Sequence, residues 1–138
     1  MVSRTEHKLL GRSRTDVFSF EVKTETGGDA VAVLEAMSQR ERSHFAYVVW
    51  ELQDKERRQD RYEQVVDYAN KHGIGLILLR KIDKIGKRLA VAEHEIIRYA
   101  DRHNADPLQI EKLLENHLSS NGRTELLSWY GYGTKSNG

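Results

Sequence analysis

The stretch VFSFEVKTETGG, Val17 to Gly28, predicts a β-strand that ends at a pair of glycines. Its first half alternates in the way that is typical of a β-strand with two different faces. Three apolar residues share one face, which we expect to pack on the core: Phe18, Phe20 and Val22. Glu21 and Lys23 share the other face, and the two glycines at the end of the stretch would terminate the strand.

A hairpin is predicted immediately before this strand. HKLLGRS, His7 to Ser13, is the candidate for its first strand, and the polar residues Arg14, Thr15 and Asp16 are the candidates for its turn. The two strands would then run antiparallel. This arrangement would bring residues near the start of the chain alongside the Glu21 strand.

The chain beyond Gly28 predicts a parallel crossover. Asp29 is placed to cap a helix running to about Arg42. Two nearly continuous apolar runs, HFAYVVWEL at 44–52 and IGLILL at 74–79, are typical of strands covered on both faces. A helix beginning at Asp54 and stopped by Gly73 would connect them. The predicted fold class is α/β, with a mixed β-sheet flanked by helices.

The second half of the chain has apolar residues at helical spacing. We predict one helix over 87–103 and a second over 106–118, the second with Pro107 in its first turn, and we expect them to pack as an antiparallel pair. The chain would therefore have an α/β core over 1–82 and a helical C-terminal region over 83–138, packed on or next to that core.

Composition narrows the class of protein. The length of 138 residues is that of one ordinary domain, and 22 basic residues nearly balance 21 acidic ones. The absence of cysteine excludes disulfides and thiolate metal sites. No apolar run is long enough for a membrane span, and the first residues lack the pattern of a signal peptide. We expect a cytoplasmic protein that does not bind membranes.

The tripeptide EVK, Glu21 to Lys23, resembles the motif of the PD-(D/E)xK nuclease superfamily, which has a restriction-endonuclease-like fold. The order of elements from Glu6 to Arg80 is similar to the family's order around that motif. The resemblance implies hydrolysis of DNA phosphodiester bonds with Mg²⁺ or Mn²⁺. Two carboxylates would hold the metal ion, and the lysine would position the attacking water.

The resemblance also implies a set of site residues. Glu21 is one metal ligand, and Glu6, which we expect to approach it across the hairpin, is the second. Asp16 is the rival for that second position. Lys23 completes the motif, and Gln39 lies on the following helix, where many family members place a glutamine or tyrosine near the site.

A basic segment after the IGLILL run is a candidate DNA-binding surface, because lysine and arginine contact phosphates. Its cationic residues are Arg80, Lys81, Lys84, Lys87 and Arg88. The alternative is a solvated link between the two halves of the chain. Both interpretations are compatible with the sequence.

The sequence leaves two alternatives to an active nuclease. One is a catalytically inactive nuclease-fold module for DNA binding or assembly. The other is an α/β domain in which the Glu-x-Lys pattern occurs by chance. As a nuclease it would form a homodimer or join a larger DNA-processing assembly, since two-fold dimers suit the cutting of both strands.

Overall fold

The computed structural model describes residues 1–10, 12–53, 58–81 and 92–129. Within these ranges, five strands form one sheet: β1 Val2–His7, β2 Arg12–Lys23, β3 Phe45–Glu51, β4 Gly75–Lys81 and β5 Ala92–Arg98. The same described residues contain four α-helices: α1 Ala30–Ser38, α2 Gln59–His72, α3 Pro107–His117 and α4 Ser120–Trp129. Short 3₁₀ turns occupy Lys8–Leu10 and Gln39–Glu41.

The sheet follows chain order, β1-β2-β3-β4-β5. The two outer pairs, β1 with β2 and β4 with β5, are antiparallel, whereas β2, β3 and β4 run parallel. The parallel strands are joined by α1 and by α2, as crossover connections require. The predicted mixed α/β class is therefore confirmed, and so is the left-handed stop at Gly73, where φ is 68°.

The hairpin turns earlier than its sequence predicts. The described part of its connection is the 3₁₀ turn Lys8–Leu10. Arg14, Thr15 and Asp16, predicted as the turn, lie within β2. The apolar pair Leu9 and Leu10 resembles strand sequence, but both side chains are exposed, so the apolar pattern extends the predicted first strand too far.

The main core lies on the face of the sheet that carries Glu21 and Lys23. It joins small residues of α1 to alternate residues of β3 and β4 and to the inner side of α2: Ala32, Val33, Ala36, Ala46, Val48, Trp50, Leu52, Val65, Ala69, Ile74, Leu76 and Leu78. The expectation that the Phe18 face packs on the core is wrong. Phe20 remains 37% exposed and Val22 65% exposed.

The region predicted to be a helix over 87–103 contains β5 instead. Its described part pairs antiparallel with β4, with Leu79 opposite His94 and Leu78 opposite Glu95. This pairing provides hydrogen-bond partners for the backbone N–H and C=O groups along the edge of β4. The stabilisation from these hydrogen bonds outweighs the local preference for a helix. The predicted antiparallel pair of helices is therefore also wrong.

The helix predicted over 106–118 is confirmed as α3. The carboxylate of Asp106 accepts a hydrogen bond from the backbone N–H of Leu108 at 2.9 Å, and Pro107 occupies the first turn. A further helix, α4, follows it. No helix in the described part of the chain is long and apolar enough to span a membrane.

Candidate active site

Four polar side chains meet where the end of β2 lies under α1. Lys23 Nζ contacts Oε1 of Glu21 at 2.9 Å and also contacts Oε2 of Glu35. The side-chain amide of Gln39 donates from Nε2 to Oε2 of Glu21 at 3.0 Å. Lys23 therefore lies between two carboxylates, and each oxygen of Glu21 has its own partner.

The local sequence explains why α1 lies over this part of β2. Asp29 caps the helix, its Oδ1 accepting hydrogen bonds from the N–H groups of Val31 and Ala32 at 2.9 and 3.2 Å. Gly28 allows the chain to turn against Trp50, since a Cβ at Gly28 would lie only 1.9 Å from the indole ring. The helix then runs back along β2 toward its middle.

Glu35 and Gln39 reach the strand together because they are four residues apart, one helical turn. Gln39 itself begins the 3₁₀ turn that extends α1. Ser43, further along, closes this region by donating to the carbonyl of Gln39 at 3.0 Å. The strand and the helix thus each contribute two residues to the cluster.

The charges in the cluster favour a protonated lysine. Hydrogen bonds to Glu35 and to Glu21 raise the pKa of Lys23 above its ordinary value of 10.5. At neutral pH the group is an ammonium ion between two carboxylates. It is suited to stabilising negative charge on a phosphate, and not to removing a proton from water.

Glu6 does not approach Glu21. It pairs with Ser13 across the hairpin, eight positions before Glu21 on β2. Eight residues of extended strand span about 26 Å. Its carboxylate instead forms an ion pair with Arg4 at 2.9 Å. The early turn of the hairpin causes this shift, because it slides β1 toward the start of β2.

Asp16, the rival to Glu6, is also distant from the cluster. Side chains alternate along a strand, so Asp16 lies on the face opposite Glu21. Only 4% of Asp16 is exposed, and its two oxygens accept hydrogen bonds from Arg14 and Arg102. Asp16 therefore ties β2 to the segment that follows β5.

The predicted basic surface lies mostly beyond what the structure describes. Arg80 is exposed near the end of β4. Lys81 closes that strand, and its side chain is outside the described residues. Lys84, Lys87 and Arg88 lie in the undescribed range 82–91. Their role in DNA binding stays a prediction.

Glu35 is the site residue that sequence reasoning missed. Taken alone, it is one of several exposed glutamates on helices, and no motif marks it. A signal was nevertheless present in the spacing: a helix capped by Asp29 places position 35 one turn before Gln39. Because Gln39 is a predicted site residue, this spacing indicates that Glu35 lies beside it on the same face of the helix.

The cluster has a donor set that suits Mg²⁺. Within the described residues, no group of three or more histidine, aspartate or glutamate side chains is arranged to hold a metal ion. Glu21 and Glu35 supply two carboxylates that already share one cation, the Lys23 ammonium. Mg²⁺ commonly takes one or two protein carboxylates and completes its coordination with water and substrate phosphate. The residues present fit that requirement.

Comparison with other proteins identifies no relative. The chain matches no protein-family model, no curated protein and no solved structure.

Proposed function

We propose that this chain is a Mg²⁺-dependent, nuclease-like domain that hydrolyses DNA phosphodiester bonds at the cluster of Glu21, Lys23, Glu35 and Gln39. The observation that carries the proposal is the position of the Lys23 ammonium between the carboxylates of Glu21 and Glu35. The order of elements around β2 supports a restriction-endonuclease-like core. In this proposal Glu35, and not Glu6, is the second carboxylate.

Glu21 and Glu35 are the residues that would hold Mg²⁺ or Mn²⁺. When bound, such an ion neutralises charge on the phosphate and lowers the pKa of a coordinated water. Gln39 fixes the carboxylate of Glu21 through its 3.0 Å hydrogen bond, so that Glu21 is oriented before substrate arrives. Lys23 supplies a fixed positive charge for the negative charge that develops on the phosphate oxygens.

A second candidate function follows from the small number of carboxylates. Among the described residues, two acidic side chains contact Lys23, and its ammonium already neutralises part of their charge. A cluster of this kind is also compatible with a purely structural ion-pair network. The chain would then be a nuclease-fold module that binds DNA or assembles with other subunits without cutting.

The test is cleavage of supercoiled plasmid in Mg²⁺, in Mn²⁺ and in EDTA. We expect metal-dependent nicking by the wild type and a loss of at least about 100-fold in Lys23→Met and in Glu21→Gln. Glu125→Gln makes the same chemical change on exposed α4 and should cut like the wild type. Equal cleavage by all four proteins contradicts the proposal, and no cleavage by the wild type favours the inactive module.

A further inference from the structure

Two arginines on the other face of the sheet are anchored to one buried carboxylate. Nε of Arg14 donates to Oδ2 of Asp16 at 2.8 Å, and Nε of Arg102 donates to Oδ1 at 3.1 Å. The two arginine side chains remain 49% and 36% exposed. Within the described part of the chain, their terminal nitrogens make no hydrogen bond. Two guanidinium groups and one carboxylate have a net positive charge, and the terminal N–H groups remain available as donors. This arrangement is suited to binding a phosphate group.

Two aromatic pairs follow this arginine pair along β2. Phe18 stacks on Phe45 with ring centroids 4.7 Å apart, and Phe20 stacks on Tyr47 at 5.6 Å. Residues two apart on a strand share a face, so Phe18 and Phe20 continue the line that begins at Arg14. Basic and aromatic side chains therefore follow one another along the same face of β2.

Among the described residues, this face is exposed toward the end of β2, where Phe20 is 37% and Val22 65% exposed. The contacts that fix α1 involve the opposite face, through Glu35 and Gln39. Pairing with β1 ends at Met1, whose backbone bonds to Phe18. Phe20 uses one ring face against Tyr47, and no described strand lies beside its other ring face. Phe20 thus offers an aromatic surface to a flat, stacking ligand.

We propose that this face binds a single-stranded nucleic acid, with phosphate groups at Arg14 and Arg102 and a base stacked on Phe20. Proteins that bind single strands combine aromatic stacking with a cationic path for the backbone. Arg14 and Phe20 are six residues apart on the strand, a distance of about 20 Å. A bound strand would therefore have several nucleotides between the phosphate at Arg14 and the base stacked on Phe20. A duplex is a poor ligand, because its base faces are already stacked on one another.

The proposal goes beyond the nuclease function and does not depend on it. Glu21 and Lys23 lie on the opposite face of the sheet, so binding here requires neither metal nor cleavage. An experiment in EDTA separates the two proposals, since hydrolysis would be absent while this binding would persist.

The test is fluorescence anisotropy with labelled 20-nucleotide oligo(dT) in EDTA at low salt. Phe20→Leu should weaken binding at least about fivefold through loss of stacking. Arg14→Gln should reduce the slope of log K against log[salt] by about 0.7. The matched controls are Tyr68→Leu, which removes an aromatic ring of similar exposure from α2, and Lys71→Gln, which removes an exposed charge from the same helix. Both should bind like the wild type.

Several outcomes would overturn the proposal. They are no saturable binding, equal affinity for the matching duplex, or affinity unchanged in both Phe20→Leu and Arg14→Gln. A change of oligomeric state in Phe20→Leu without oligonucleotide binding would instead assign the face to a protein contact, which also overturns it. Oligo(rU) in the same assay distinguishes an RNA ligand from a DNA ligand.

Discussion

Gln39 and Glu21, eighteen positions apart in the chain, meet through a 3.0 Å hydrogen bond from the amide Nε2 to the carboxylate Oε2. The bond holds one oxygen of Glu21 against α1, while Lys23 holds the other oxygen. A carboxylate whose two oxygens have separate partners has little rotational freedom. The strand and the helix therefore define the orientation of Glu21 together.

Removing the amide should reduce activity more than stability. We expect Gln39→Ala to lower the cleavage rate about tenfold, since supporting residues of a metal ligand typically contribute 10–100-fold. The bond is only partly buried, so the melting temperature should change by no more than about 2 °C. Gln59→Ala, at an exposed position in the first turn of α2, is the matched control. Unchanged cleavage by Gln39→Ala would show that Gln39 does not orient Glu21.

The turn into α1 should not tolerate a methyl group at Gly28. A Cβ there would lie 1.9 Å from the Trp50 ring, and Trp50 is fully buried. We expect Gly28→Ala to lower the free energy of unfolding by about 1–3 kcal/mol, as overpacking generally does. Urea denaturation measures this change.

The neighbouring glycine is the control for that experiment. A Cβ at Gly27 meets its nearest neighbour, Thr24 Oγ1, at 3.6 Å, which is an ordinary contact distance. Gly27→Ala should therefore unfold close to the wild-type urea concentration. If the two variants were equally stable, the close approach of Gly28 to Trp50 would not exist in solution.

Acid should destabilise the fold through His44. Burial lowers the pKa of His44 below its ordinary value of 6.5, and the charge on Arg102 acts in the same direction. Its Nδ1 accepts a hydrogen bond from the Val17 N–H at 2.9 Å, which protonation would break. His44 binds a proton more readily in the unfolded chain than in the folded chain. The free energy of unfolding should therefore fall as the pH falls below about 6.5.

Melting temperatures at pH 7.5, 6.5 and 5.5 measure this dependence. Burial, together with the charge on Arg40, also lowers the pKa of His103, so its contribution has the same sign. His44→Gln should make the decline shallower, whereas His117→Gln, on the exposed side of α3, should leave it unchanged. A decline of equal steepness in wild type and His44→Gln would rule out His44 as a source.

The elements that could be predicted are those with strong local signals. The β3 and β4 strands are nearly continuous apolar runs. Gly73 ends α2 in a left-handed conformation, and the Asp106 side chain caps the start of α3. The hairpin turn and β5 were missed because their signals are not local. Leu9 and Leu10 are apolar yet exposed, and β5 is a strand because β4 pairs with it.

The candidate site shows the same division. Glu21 and Lys23 could be assigned to one face of a strand from alternation alone, and their ion pair follows from that placement. The second carboxylate could not be found in this way. The assignment of Glu6 to the site depended on the predicted position of the hairpin turn. The assignment of Glu35 requires knowing how α1 packs over β2, which only the three-dimensional structure shows.

The most direct test of the proposed site compares two glutamates under the same substitution. Glu35→Gln and Glu6→Gln each remove one negative charge, one at the cluster and one about 26 Å along the strand from Glu21. Rates of Mg²⁺-dependent plasmid cleavage should fall at least about 100-fold in Glu35→Gln and stay within twofold of the wild type in Glu6→Gln. Loss of cleavage in Glu6→Gln with full activity in Glu35→Gln would show that Glu35 is not the second carboxylate of the site.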